Sequence, residues 1–182
     1  LAMVSLPSFN PNDVNGTIPP NNVTQSVYEL GSTFKPITAA AVIDRGVVTS
    51  MSRRFDATEP LRIGRFSITD DHPRRRWLNI PETLIYSSNI ATARIGEELG
   101  QEGFEDIFHK LHFDERAPID LEAGGTLWPH YWSRATTMTV GYGHGIAVTP
   151  LHLALAYAAL VNGGVWRPAT MLKVEPGHAA RG

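Results

Sequence analysis

Apolar and polar positions change rhythm several times along this chain, and each change marks an element. From 32 to about 45, Phe34, Ile37, Ala40, Ala41 and Ile43 recur at helical spacing, and Gly46 ends the run. Pro36 fits such a helix only if it starts near Ser32, because the first turn leaves the missing N–H unpaired anyway. Residues 55–79 alternate instead, interrupted by Pro60, Gly64 and Pro73, which predicts short strands and turns. A second helix is expected from Pro81 and Glu82, a break at Ser87, Ser88 and Asn89, and a resumption from Ile90 to Leu99 before Gly100. A third, over about 103–112, places Phe104, Ile107, Phe108 and Leu111 on one face. The clearest helix starts at a Thr149 cap with Pro150 behind it. It carries Leu151, Leu153, Ala154, Tyr157, Leu160 and Val161 as its apolar set and stops at Asn162, Gly163 and Gly164. Residues 7–24, with four prolines, read as a surface loop.

The two ends read as cut. Residues 1–6 have strand character without a preceding turn or partner, and 173–182 run out in a stretch containing proline and glycine. The expectation is one part of a single domain, 1–182, truncated at both ends.

Composition narrows the function classes. With 182 residues, 42% of them hydrophobic and 19% charged, the chain can bury a core, and a net charge of −2 supplies no basic field for nucleic acid. The absence of cysteine excludes disulfides, thiol catalysis and Cys-based zinc sites. His109 and His112, near Asp114 and Glu115, lack the i, i+4 spacing of a zinc-binding helix, so no metal is expected. Arg53, Arg54 and Arg74 to Arg76 stand close in sequence to Asp56, Asp70 and Asp71. They read as locally neutralised surface charge, or at most a patch for docking a partner.

The chemistry concentrates at Ser32 and Lys35. Three residues apart on a helix, a hydroxyl and an amine point to one side. A serine hydroxyl becomes a useful nucleophile when a base takes its proton, and lysine serves as that base once its pKa falls toward neutrality. A helix N-terminus and burial beside Phe34 and Ile37 both push in that direction. The plain alternative is a helix-capping serine and a solvated lysine. Only three lysines occur in the chain, which makes the coincidence rarer.

The stretch Tyr28-Glu29-Leu30-Gly31-Ser32-Thr33-Phe34-Lys35-Pro36 resembles the active-site serine signature of class B penicillin-binding proteins, the monofunctional peptidoglycan transpeptidases. Ser87-Ser88-Asn89, by itself a capping turn, is similar to the family's second element. A third stretch looks like a block of the same family: Gly141-Tyr142-Gly143-His144-Gly145-Ile146-Ala147-Val148-Thr149-Pro150, continuing to Asn162-Gly163-Gly164. Within class B, the stretch from Ile63-Gly64-Arg65 through Tyr86 and this glycine-rich block look closest to the septal, cell-division transpeptidases of Gram-negative bacteria. The sequence departs from the family at Leu30, where many relatives carry proline, and in having no Lys-Ser/Thr-Gly tripeptide. No Gly-x-Ser-x-Gly element accompanies His144, which reads as a packing or loop residue.

The resemblance implies an α+β fold of the penicillin-binding protein and serine β-lactamase type, here a mainly helical fragment lacking the strand with the third motif. It implies Ser32, Lys35, Ser87 and Asn89 as catalytic residues and Asn89, Gly141, Tyr142 and Gly143 as substrate-binding ones. No cofactor is implied. The partners implied are peptidoglycan stem peptides, β-lactam antibiotics and division or cell-wall synthesis proteins, at the periplasmic face of an inner membrane whose anchor is not in this chain. Two other readings stay open: a β-lactam-hydrolysing or β-lactam-sensing relative, and a non-catalytic fragment or scaffold.

Overall fold

A 3-10 turn, Gly31–Phe34, runs straight into α1, Lys35–Asp44, in this computed structural model, which describes residues 2–13 and 16–174. Phe34 sits at the junction, buried edge-on against Phe108 with ring centroids 5.8 Å apart. Phe104, Trp128 and Trp132 continue that aromatic cluster, and aromatic pairs at such separations add to plain area burial. The cluster therefore anchors the end of α1 that carries the serine and lysine.

The chain divides into two compact units. One comprises residues 29–109 and 128–147, the other the described residues of 1–28, 110–127 and 148–182. In the first unit, β1 (Arg54–Ala57) pairs antiparallel with β4 (Arg76–Asn79), and β2 (Leu61–Ile63) pairs antiparallel with β3 (Phe66–Ile68). Alternation decides the buried face, since the opposed Phe55 and Leu78 both point into the core. α2, Ile80–Ile85, begins with a reciprocal cap: the Asn79 side chain accepts from the Glu82 N–H, and the Glu82 carboxylate accepts from the Asn79 N–H.

α3, Asn89–Lys110, contains the predicted stop at Gly100, whose φ of 72° breaks the helical path between two halves. Phe104, Ile107, Phe108 and Leu111 are buried, as their spacing predicts. α4, Arg134–Val140, has no counterpart among the predicted elements. Its threonines at 136, 137 and 139 have low helix propensity, and the one legible signal is Ser133, whose hydroxyl accepts from the Thr136 N–H.

In the second unit, α5, Pro150–Val161, starts at the expected Thr149 cap, which accepts from the His152 N–H. The buried side differs from the expected apolar set. His152, Ala156 and Ala159 point inward, whereas Ala154 is exposed and Val161 is 82% exposed. A helix apolar nearly all round carries no pattern from which to read its inner face. His152 is held between Thr149 Oγ1 and the Glu115 carbonyl, and burial lowers its pKa. Residues 2–6 form no strand, contrary to their composition, and Ser5 and Leu6 instead bond to Asn22 in the loop. From Glu175 onward the expected terminal stretch lies outside the described residues.

Candidate active site

Every residue expected to be catalytic or substrate-binding lies in the unit of residues 29–109 and 128–147. Ser32 sits in the 3-10 turn with an exposed side chain, so it is not the helix cap that its spacing also allowed; the cap position there makes no side-chain hydrogen bond. Lys35 is the first residue of α1 and only 2% exposed, which rules out a solvated surface lysine. Its ammonium donates to the Ser87 carbonyl at 2.5 Å and to Ser87 Oγ at 2.8 Å. Burial pushes its pKa down to about 8, against the charges of Asp70 and Asp71, which raise it. About a tenth of the lysine is then neutral at pH 7, far more than an exposed lysine provides.

The turn between α2 and α3 supplies Ser87. This residue adopts φ 51°, a left-handed conformation uncommon for a side chain other than glycine, and is exposed. Its neighbour Ser88 is buried; the Ser88 hydroxyl accepts from the Ala91 N–H and donates to an Asp70 carboxylate oxygen at 2.8 Å. The other Asp70 oxygen accepts from the Ile90 N–H at 2.9 Å. Asn89 opens α3, its amide donating to the Thr69 carbonyl at 3.0 Å. The break expected at 87–89 is thus a cap as well as a candidate site: Ser88 caps, while Ser87 faces the lysine.

Gly141, Tyr142 and Gly143 follow α4 and are buried. Thr38, one turn along α1 from Lys35, donates its hydroxyl to the Gly141 carbonyl at 2.7 Å. Gly143 has φ 80°, and its carbonyl accepts from the Gly31 N–H at 3.2 Å. A Cβ there would collide with the Gly31 carbonyl oxygen and stand 2.7 Å from its nitrogen, so only glycine permits this approach. The glycine-rich segment is therefore pressed against the residue preceding Ser32. Burial pushes the Tyr142 phenol up.

His144 is an exposed loop residue, as expected. Its Nδ1 lies 3.2 Å from Glu29, whose carboxylate also accepts from the Gly145 N–H and is lowered in pKa chiefly by that bond. No cluster of His, Cys, Asp or Glu suited to a metal occurs among the described residues. The basic residues find partners other than their sequence neighbours: Arg53 pairs with Glu98, and Arg54 and Arg76 share Glu82. Asp70, expected to neutralise arginines, bonds to the start of α3 instead. Thr38 is not marked by the sequence reading, and Asp70 is marked there only as a counter-charge to nearby arginines. A threonine three residues after the lysine was the only hint of the former, and nothing in the chain order links Asp70 to residues 88–90.

Comparison with known proteins meets this geometry from outside. The chain is 39% identical to the probable peptidoglycan D,D-transpeptidase FtsI of Caulobacter vibrioides, covering 100% of this chain and 31% of that protein. To the peptidoglycan D,D-transpeptidase FtsI of Escherichia coli K12 it is 33% identical, covering 97% of this chain and 30% of that one. It thus spans about a third of the length of these curated relatives. The transpeptidase domain of Burkholderia pseudomallei penicillin-binding protein 3 superposes with a TM-score of 0.81 at 25% identity, over 89% of this chain and 50% of that one. A Burkholderia ambifaria structure described as a peptidoglycan glycosyltransferase gives 0.80 at 25% identity, over 86% of this chain and 50% of that one. The α+β architecture is that of the penicillin-binding transpeptidases. Residues 1–179 match the penicillin binding protein transpeptidase domain, and the chain, with its serine–lysine turn, belongs to that family.

Proposed function

We propose that this chain is part of a single transpeptidase domain of a peptidoglycan D,D-transpeptidase that cross-links stem peptides during division and is acylated by β-lactams. The observation that carries the reading is a buried Lys35, one turn from Ser32, whose amine reaches both polar oxygens of Ser87. Neutral Lys35 takes the Ser32 proton as Ser32 Oγ forms a bond to the penultimate carbonyl of a D-alanyl-D-alanine stem. The amide C–N bond then breaks. The proton passes through Ser87 to the leaving D-alanine nitrogen, and an amine from a neighbouring strand takes the acyl group, restoring Ser32. Asn89 and the segment from Gly141 to Gly143 line the substrate side. Among the described residues, Glu29 is held by Gly145 and His144, and Asp70 by Ser88 and Ile90. Both carboxylates are thus engaged away from the Ser32 hydroxyl, which favours transfer to an amine over rapid hydrolysis.

The domain works at the periplasmic face of an inner membrane alongside other division proteins. No helix of the described residues is long and apolar enough to cross a membrane. A Lys-Ser/Thr-Gly strand elsewhere in the protein completes the pocket. Intact-protein mass spectrometry after exposure of the complete protein to a fluorescent penicillin tests the central claim. One covalent adduct mapping to Ser32 is expected, and a folded Ser32→Ala variant that labels normally would refute it.

A further inference from the structure

Residues 69 and 70 lie on the loop after β3, some twenty positions from the turn between α2 and α3, yet they bond to three consecutive residues there. The Thr69 carbonyl accepts from the Asn89 amide; Asp70 accepts from the Ser88 hydroxyl and the Ile90 N–H. The residue immediately before this clamp is Ser87, held in its left-handed conformation with both oxygens on Lys35. A helix start needs partners for its first N–H groups, and Ser88 already supplies one through Ala91. Asp70 adds a grip from outside the helix, and it does so with a charge.

Building on the assignment of Ser32 and Lys35, we propose that Asp70 is a positioning residue for acylation, clamping the start of α3 so that Ser87 meets Lys35 and Asn89 faces substrate. Without the clamp, Ser87 is free to relax from its left-handed backbone, and the lysine loses its fixed acceptors. The charge matters as well. Asp70 and Asp71 are the charged groups that act on Lys35, and both favour its protonated form. The other side chains around the lysine, among them Thr38, Ile80, Thr83, Leu84 and Thr92, carry no charge. Asp70 also lines a cavity of about 310 Å³, where Glu59 and Arg75 are the other charged residues of the lining.

The test uses the complete protein, two Asp70 variants, and Asp71→Asn and Lys35→Met as references. Asp70→Asn keeps an oxygen for the Ile90 N–H but removes the charge; Asp70→Ala removes the clamp. Penicillin acylation followed from pH 6 to pH 10 should give Asp70→Asn a rising limb displaced to lower pH. Asp70→Ala should lose roughly 10- to 100-fold at the plateau, the scale of an ångström misplacement. Asp71→Asn should move the limb in the same direction without loss of plateau, since among the described residues no motif side chain is hydrogen-bonded to it. Profiles in both Asp70 variants that match the parent within a few-fold, measured on folded protein, overturn the proposal. So does a variant that only melts earlier. The titration of Lys35 by NMR, its signal identified by its loss in Lys35→Met, reads the same coupling without activity. A protein that does not label at Ser32 refutes the catalytic assignment. A Lys35 midpoint unmoved in Asp70→Asn refutes the role of Asp70.

Discussion

Replacing Gly143 by alanine should damage the candidate site through backbone contact, because the added methyl group removes no polar atom and the three nearest atoms it meets all belong to the Gly31 backbone. Two costs combine. At φ 80° an L-residue is disfavoured by roughly 1–2 kcal/mol. The new Cβ would also collide with the Gly31 carbonyl oxygen while standing 2.7 Å from its nitrogen and 2.9 Å from its carbon. Those atoms are backbone and cannot rotate aside, so the segment carrying Ser32 has to move, at the roughly 1–3 kcal/mol typical of overpacking. The expected loss is about 2–5 kcal/mol of stability, and acylation should fall on the order of 100-fold for a displacement near 1 Å.

Gly145→Ala is the matched control. Its φ is 83°, but its nearest neighbours, Thr139 Oγ1 at 3.8 Å and Val140 Cγ2 at 3.9 Å, are at ordinary contact distance. It should show the conformational cost alone. Urea unfolding and penicillin-acylation kinetics, run on both variants and the parent, separate the two effects. If Gly143→Ala and Gly145→Ala unfold at the same urea concentration and acylate at the same rate, the close approach of Gly143 to Gly31 is not what holds Ser32.

Lys35→Ala should lower acylation by about 10²- to 10⁴-fold, the range for a positioned general base, with a circular dichroism spectrum like the parent's. Parent acylation should rise with pH through about 8 as Lys35 loses its proton, a limb absent in Lys35→Ala stopped-flow profiles. The folded pKa of Lys35 lies below its unfolded value of 10.5, so the unfolded chain holds the extra proton between about 8 and 10.5. Stability from this group therefore rises with pH across that window, by up to about 3 kcal/mol, and denaturant titrations should show the rise missing in Lys35→Met. Thr38→Val leaves the buried Gly141 carbonyl without its donor and should cost about 1–3 kcal/mol in chemical denaturation. Phe108→Ala, which removes the ring packed on Phe34, Phe104 and Trp128, should cost about 3–5 kcal/mol and weaken acylation by loosening the end of α1.

Local rules decided much of this protein without help. Pro36 after Ser32, Thr149 with Pro150, and Gly100 inside a helical run each act through their own backbone, so the ends of α1, α5 and the two halves of α3 are legible in the chain order. The spacing of Phe104, Ile107, Phe108 and Leu111 likewise names its own buried face. Ser32 and Lys35 share a turn and could be paired by counting residues.

Tertiary structure decided what those residues meet. That Lys35 is buried and reaches Ser87, 52 positions away, depends on α1 packing beside the turn between α2 and α3, and burial is what lowers its pKa. The charged residues chose partners by proximity in space, so Asp70 left its neighbouring arginines for the start of α3, and Glu82 took Arg54 and Arg76. α4 forms although threonine disfavours helix, and the inner face of α5 is set by what surrounds it, because a helix apolar on every side has no face of its own to prefer. Hydrogen bonds, capping and turns act over a few residues and can be read along the chain. Burial, ion pairing and the strained conformation of Ser87 are properties of the packed molecule, and they exist only once distant segments have come together.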